Sequence, residues 1–246
     1  MGATAIGTAI NTSPFYLDNI VPTLARITGH PLTQADDLFD ATENLDSFVR
    51  VSSCLKACAV NLSKMCNDLR ILASGPKAGF GEITLPAMQN GSSIMPGKVN
   101  PVIPEVVTQV AFHIIGHDTT ITMAAEAGQM ELNAFEPVIF YNLFDSITTL
   151  THAIDTLVDN CILGITANRE RCKSLLDASV GITTALCPYI GYKKAAKLAK
   201  ESLSCNVPVR TLVLKYHLMK EKELNIILDP YSMTSPRDGS IQEKAI

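Results

Sequence analysis

The chain has 246 residues, 47% hydrophobic and 18% charged, with 6% aromatics, no Trp and a net charge of −4. So much apolar content with so little charge excludes a mainly disordered state, and the length suits one large domain or two small ones. Twenty Lys and Arg against 24 Asp and Glu leave no basic excess for phosphates, which excludes a general nucleic-acid binder. No apolar run reaches the length of a membrane-spanning helix, and MGATAIGTAIN lacks the basic start and long apolar core of a signal peptide.

In chain order, a first helix is predicted from Leu17 to Thr28, ending at Gly29. From Leu45 the apolar or small residues Leu45, Phe48, Ser52, Leu55, Ala59, Leu62, Cys66 and Leu69 alternate at steps of three and four. That is a helix-bundle seam, and the SGP at 74–76 stops it. Long helices are predicted again from Pro101 to Glu126 and from Pro137 to Ile162. Between the seam helix and the helix from Pro101 lies GPKAGFGEITLPAMQNGSSIMPGKVN, residues 75–100, rich in Gly and Pro and without periodicity; a loop this long is usually functional or disordered. After Gly164 come short amphipathic pieces at 168–177, 191–203, 208–217 and 220–228, and a polar tail from Pro230 expected to fray. Strand signals are weak. The fold class is therefore all-α: a long-helix bundle over residues 1–164, followed by a small C-terminal domain of short helices over 165–246.

Seven cysteines, an odd number without CxxC, read as buried free thiols of a reducing cytoplasm. Cys54 and Cys58 are expected to be small apolar filler, and Met65, Met88, Met123 and Met130 core filler. Arg169, Arg171 and the face Lys193, Lys194, Lys197 and Lys200 read as solvated surface. The five histidines do not cluster with the cysteines, so no metal site is expected. His113 and His117, four apart without an intervening Glu, read as a packed or capping pair, with a part in an acid step or in regulation as the alternative.

The chemistry lies in Gly91-Ser92-Ser93-Ile94-Met95-Pro96-Gly97-Lys98-Val99-Asn100. This is a hydroxyl-rich loop feeding a long helix, with Asn100 a candidate cap and Pro101 at the first helical position. A helix N-terminus, the Lys98 charge and the Asn100 amide together suit a carboxylate or phosphate. An ordinary connecting loop with a helix cap is the plainer reading.

GSSxMPxKxN resembles the signature of the fumarase/aspartase superfamily, tetrameric all-α lyases that make fumarate by elimination. GATAIGTAIN at 2–11 and EAGQMELNAFEP at 126–137 are similar to further segments of that family. PVIPE at 101–105 and AAEAGQ at 124–129 resemble its aspartate ammonia-lyase branch rather than class II fumarases. The resemblance implies that Ser92 is the general base, that Ser93 donates to the substrate's β-carboxylate, and that Lys98 and Asn100 grip the other carboxylate. Gly91, Ile94 and Met95 belong to the same motif and support it, and Glu105 matches a glutamate that pairs with a residue of another segment. It implies L-aspartate and fumarate as substrates, no organic cofactor, possible Mg²⁺ activation, a cytoplasmic homotetramer, and no nucleic-acid or membrane partner. It also implies a departure. Family chains are about twice this length and build each site from three regions on different subunits, of which these residues match only the third. The chain is thus expected to be a half-enzyme, inactive alone. The alternatives are a fumarase-type hydratase or other superfamily lyase, and a non-catalytic helical oligomerisation fragment.

Overall fold

The computed structural model describes residues 1–75 and 77–235; Pro76 and the tail from 236 lie outside the described residues. Two compact units divide between Thr166 and Ala167.

The first unit opens with a turn-rich segment in which Thr4, Ala9 and Asn11 take left-handed backbone angles. Helix α1 (Pro14–Thr28) is capped by Ser13, whose hydroxyl accepts from the Tyr16 N–H, and ends at left-handed Gly29. A single turn, α2 (Asp40–Glu43), leads into α3 (Asp46–Leu72). α3, α4 (Val102–Glu126) and α5 (Glu136–Asn160) pack side by side. The all-α expectation holds: strands are confined to the two-residue β1 (Ile83–Thr84) and β2 (Thr166–Ala167) among the described residues.

The predicted seam of α3 faces the core. Ser52, Ala59 and Cys66 are buried, and Phe48, Leu55, Leu62 and Leu69 are partly buried against α4 and α5. Opposite them lie Ile114, Ile121, Ile139, Leu150 and Leu157. The small residues Ala59 and Ala111 let the helix backbones approach closely.

Two polar devices set the register of the bundle. Asp118 on α4 is buried and accepts from Ser52 Oγ at 2.8 Å, Ser53 Oγ at 3.3 Å and Lys56 Nζ at 2.5 Å, all on α3. Burial alone would raise this carboxyl. The hydrogen bonds from Lys56 and Ser52, with the Lys56 charge, outweigh it and hold Asp118 below the usual range. A depressed carboxyl stabilises the fold above its unfolded value, near pH 4, and loses that contribution as pH falls through the lower folded value. Asp118→Asn should destabilise by about 2 kcal/mol, read as a lower urea midpoint with unchanged slope, because Lys56 loses its charged partner. At the α4–α5 turn, buried Asn133 donates to the carbonyls of Ala124 and Ala125 and accepts from the Phe135 N–H. It thereby closes the end of α4 and starts α5.

Several expectations need correction. Cys66 and Cys161 are buried, but Cys54, Cys58 and Cys205 are exposed, so the i,i+4 pair is not core filler. Met65, Met88, Met123 and Met130 are also exposed. Spacing tells which residues share a helix face, not which face is covered. The Cys66 thiol is pushed up to about 11 by burial, helped by neighbouring Cys161. Roughly one thiol in a thousand is then ionised at pH 8. A thiol-specific disulfide reagent at pH 8 should modify Cys54, Cys58 and Cys205 rapidly in the isolated folded chain, and Cys66 and Cys161 only after denaturation.

The second unit comprises α6 (Arg169–Ala178), α7 (Thr183–Ile190), α8 (Tyr192–Cys205), α9 (Val209–Lys215), α10 (Glu221–Ile227) and α11 (Pro230–Thr234). Its core is built from Ile182, Leu186, Leu198, Val209, Leu212, Val213, Leu224 and Ile227. α7 was missed in the sequence because Pro188 lies inside it. The start of the expected frayed tail is instead helical: Asp229 caps α11 by accepting from the Ser232 N–H. The rest of that tail lies outside the described residues.

Candidate active site

The segment between α3 and α4 has two parts. Residues 77–86 fold back on the helix ends. The Glu82 N–H donates to Leu72 O at 2.9 Å and the Phe80 N–H to Ser74 Oγ at 3.1 Å. Leu85 packs against the Cys66–Leu157 cluster, and Pro86 lies so close to Gly164 that a Cβ there would meet it at 2.4 Å. Residues 87–100 then project outward and line an open cavity of ≈ 720 Å³, walled by 87–93 and 97–99.

The projecting part is a loop closed at its neck. A Cβ on Gly91 would lie 1.7 Å from Lys98 O, so the two strands of the neck touch backbone to backbone. Asn100 Nδ2 donates to Gly91 O at 3.2 Å across the same neck. At the tip, the Lys98 N–H donates to Met95 O at 3.2 Å through left-handed Gly97. Asn100 is therefore a clasp and not the expected helix cap: α4 begins at Val102, with no side-chain cap.

Inside this ring Ser92 Oγ accepts two backbone hydrogen bonds, from Ile94 N at 3.2 Å and Met95 N at 3.1 Å. Both favour the alkoxide over the hydroxyl, because each N–H dipole points at the developing charge. Ile94 and Met95 thus meet Ser92 through their backbones, while their side chains stand out in solvent, Ile94 at 85% exposure. Ser93 and Lys98 are exposed on the same cavity wall. Ser92, Ser93 and Lys98 are thus brought together, with Asn100 at the base.

Glu105, in the first turn of α4, sits 3.7 Å from Arg70 Nη2 near the end of α3. Arg70 was not singled out in the sequence, because a charge 35 positions away carries no local signal. Nor was Asp145, which joins His113 and His117. Among the described residues these three form the one group of His, Cys, Asp or Glu side chains with converging ligand atoms. Two of its donors are imidazole nitrogens, so it does not suit Mg²⁺, which takes oxygen ligands.

Two family models match the chain: "Lyase" over residues 1–116 and "Fumarase C C-terminus" over 182–235. Aspartate ammonia-lyases from a Bacillus species and from Bacillus subtilis are 53% and 51% identical over 236 residues. The chain is similar over nearly its whole length to members of the fumarase/aspartase superfamily. Each of those matches covers 96% of this chain and 50% of the relative, so the chain spans about half the length of the curated relatives it matches. Among solved structures, a fumarate lyase:delta crystallin from Brucella melitensis bound to cobalt superposes with TM-score 0.91 at 47% identity. It is covered over 51% of its length, against 96% of this chain. A class II fumarase from Schistosoma mansoni superposes with TM-score 0.86 at 32% identity, over 96% of this chain and 53% of its own. No helix among the described residues is long and apolar enough to cross a membrane.

Proposed function

We propose that this chain carries the base-bearing loop of an aspartate ammonia-lyase, which converts L-aspartate to fumarate and ammonia. The observation that carries the reading is Ser92 Oγ held between two backbone N–H groups in an open cavity beside Lys98. The Ser92 alkoxide takes a proton from the substrate carbon next to the β-carboxylate. The C–H electrons move into that carboxylate, giving a dianionic aci-carboxylate, to which Ser93 donates. The pair then returns to form the carbon–carbon double bond as the C–N bond breaks and ammonia leaves. Lys98 and Asn100 hold the other carboxylate, where a positive charge and an amide donor offset the substrate's negative charge. Folding the exposed loop tip down over bound substrate would exclude water and strengthen these contacts. No step requires an organic cofactor or runs through Mg²⁺.

The site is incomplete in its amine-binding part. The cavity is walled by residues of one loop, and the reading assigns the ammonium group to other regions of the family site. Family sites are completed by two further regions from other subunits, so the reading includes a cytoplasmic homotetramer and no turnover by these 246 residues alone. The exposed apolar side chains Phe112 and Met123 on α4, and Tyr141 and Phe144 on α5, suit burial against such subunits. Identity near 50% to aspartate ammonia-lyases against 32% to the class II fumarase favours ammonia over water as the leaving group. The test is to offer L-aspartate and L-malate separately to the completed enzyme. Fumarate from L-aspartate is expected; fumarate from L-malate alone would replace the reading with a hydratase.

A further inference from the structure

A second constellation lies outside the loop, between α4 and α5. His113 and His117 are one turn apart and share a face of α4. Asp145 comes from α5. Its Oδ2 lies 2.8 Å from His113 Nε2 and 3.8 Å from His117 Nδ1. The two imidazole centroids are only 3.9 Å apart. One ligand atom from each of the three residues lies within 4.8 Å of the others, so small side-chain rotations bring them to a common centre.

The surroundings suit a ligand set. His117 is pushed below its ordinary value by burial and by the neighbouring His113, against the pull of Asp145. Ser146 Oγ, 3.0 Å from His117 Nδ1, and the backbone of Asn142 fix the ring's orientation. A bound ion would replace the Ser146 hydroxyl as partner of Nδ1. In the isolated chain the His117 side chain is 12% exposed while His113 and Asp145 remain open on their outer side, which leaves water access for a further ligand.

We propose that His113, His117 and Asp145 form a transition-metal site that clips α4 to α5. Two imidazole nitrogens and one carboxylate oxygen suit a late first-row divalent ion such as Zn²⁺ or Co²⁺, four-coordinate with one water. The same donors discriminate against Mg²⁺ and Ca²⁺. Neither histidine nor Asp145 belongs to the Ser92 loop.

Co²⁺ titrated into chelator-treated chain tests this by visible absorbance. One Co²⁺ per chain is expected, with the intense bands of a four-coordinate ion, no sulfur-to-cobalt charge transfer, and displacement by Zn²⁺ but not by Mg²⁺. His113→Gln, His117→Gln and Asp145→Asn should each weaken binding at least about tenfold, as loss of a direct ligand costs no less than loss of its orienting partner. Cys54→Ser/Cys58→Ser should bind as the parent does. Zn²⁺ should raise the melting temperature of the parent and not of His117→Gln, with circular dichroism checking that each variant keeps its helices. Absence of stoichiometric binding, thiolate charge-transfer bands, or unchanged binding in the His113→Gln/His117→Gln double variant would overturn the site.

Discussion

Ser92→Ala is expected to abolish measurable elimination in the completed enzyme, lowering kcat by up to about 10⁴-fold with KM little changed. The hydroxyl is engaged at 3.1–3.2 Å by the Ile94 and Met95 N–H groups, which act on the alkoxide rather than on substrate. On the proposed mechanism, its removal takes away transition-state chemistry and leaves ground-state binding to Lys98 and Asn100. The fold should be indifferent, because the loop projects outward and the two N–H groups left behind can bond water. An unchanged thermal midpoint together with retained kcat would dismiss Ser92 as the base. A matched fall in stability and activity would make its role structural.

Gly91→Ala is expected to cost about 10²-fold in kcat/KM while shifting stability by less than about 1 kcal/mol. The added Cβ would meet Lys98 O at 1.7 Å, Lys98 C at 2.3 Å and Val99 N at 2.8 Å. All three are backbone atoms and cannot rotate away. The neck must open, and the Asn100-to-Gly91 clasp opens with it, displacing Ser92 relative to Lys98. Gly97 is the contrasting position. Nothing lies within 4 Å of a Cβ there, and alanine meets only the cost of its left-handed angle, φ +80°, about 1 kcal/mol. Gly97→Ala should therefore impair turnover less than Gly91→Ala. Steady-state kinetics of the two variants on L-aspartate would decide it, and a larger loss at Gly97 would reject the neck as the positioning element.

How much of this was legible in the sequence depends on the range of the interaction. The long helices were readable because Leu45 through Leu69 repeat the helical period over more than three heptads, and the observed α3, α4 and α5 start and stop within two residues of expectation. α7 was not, because Pro188 and the flanking glycines interrupt a short segment that tertiary packing of Leu186 nonetheless holds helical. The loop motif marked Ser92, but its local geometry did not follow from composition. Asn100 has the chemistry of a helix cap and is used as a clasp, since its amide reaches Gly91 once the neck folds. Contacts between distant positions left no trace: Asp145 beside His113, Arg70 beside Glu105, Lys56 under Asp118. The exposed Cys54 and Met123 show the complementary limit, since helical spacing groups residues by face without saying which faces this chain covers itself.

The most direct measurement follows fumarate by ultraviolet absorbance with L-aspartate as substrate. The 246-residue chain is assayed first alone, then co-expressed with the remaining half of the Bacillus subtilis relative. The account predicts a folded but inactive chain alone, and turnover in the co-expressed sample that Ser92→Ala removes. Fumarate production by the isolated chain, or a co-expressed enzyme insensitive to Ser92→Ala, would contradict it.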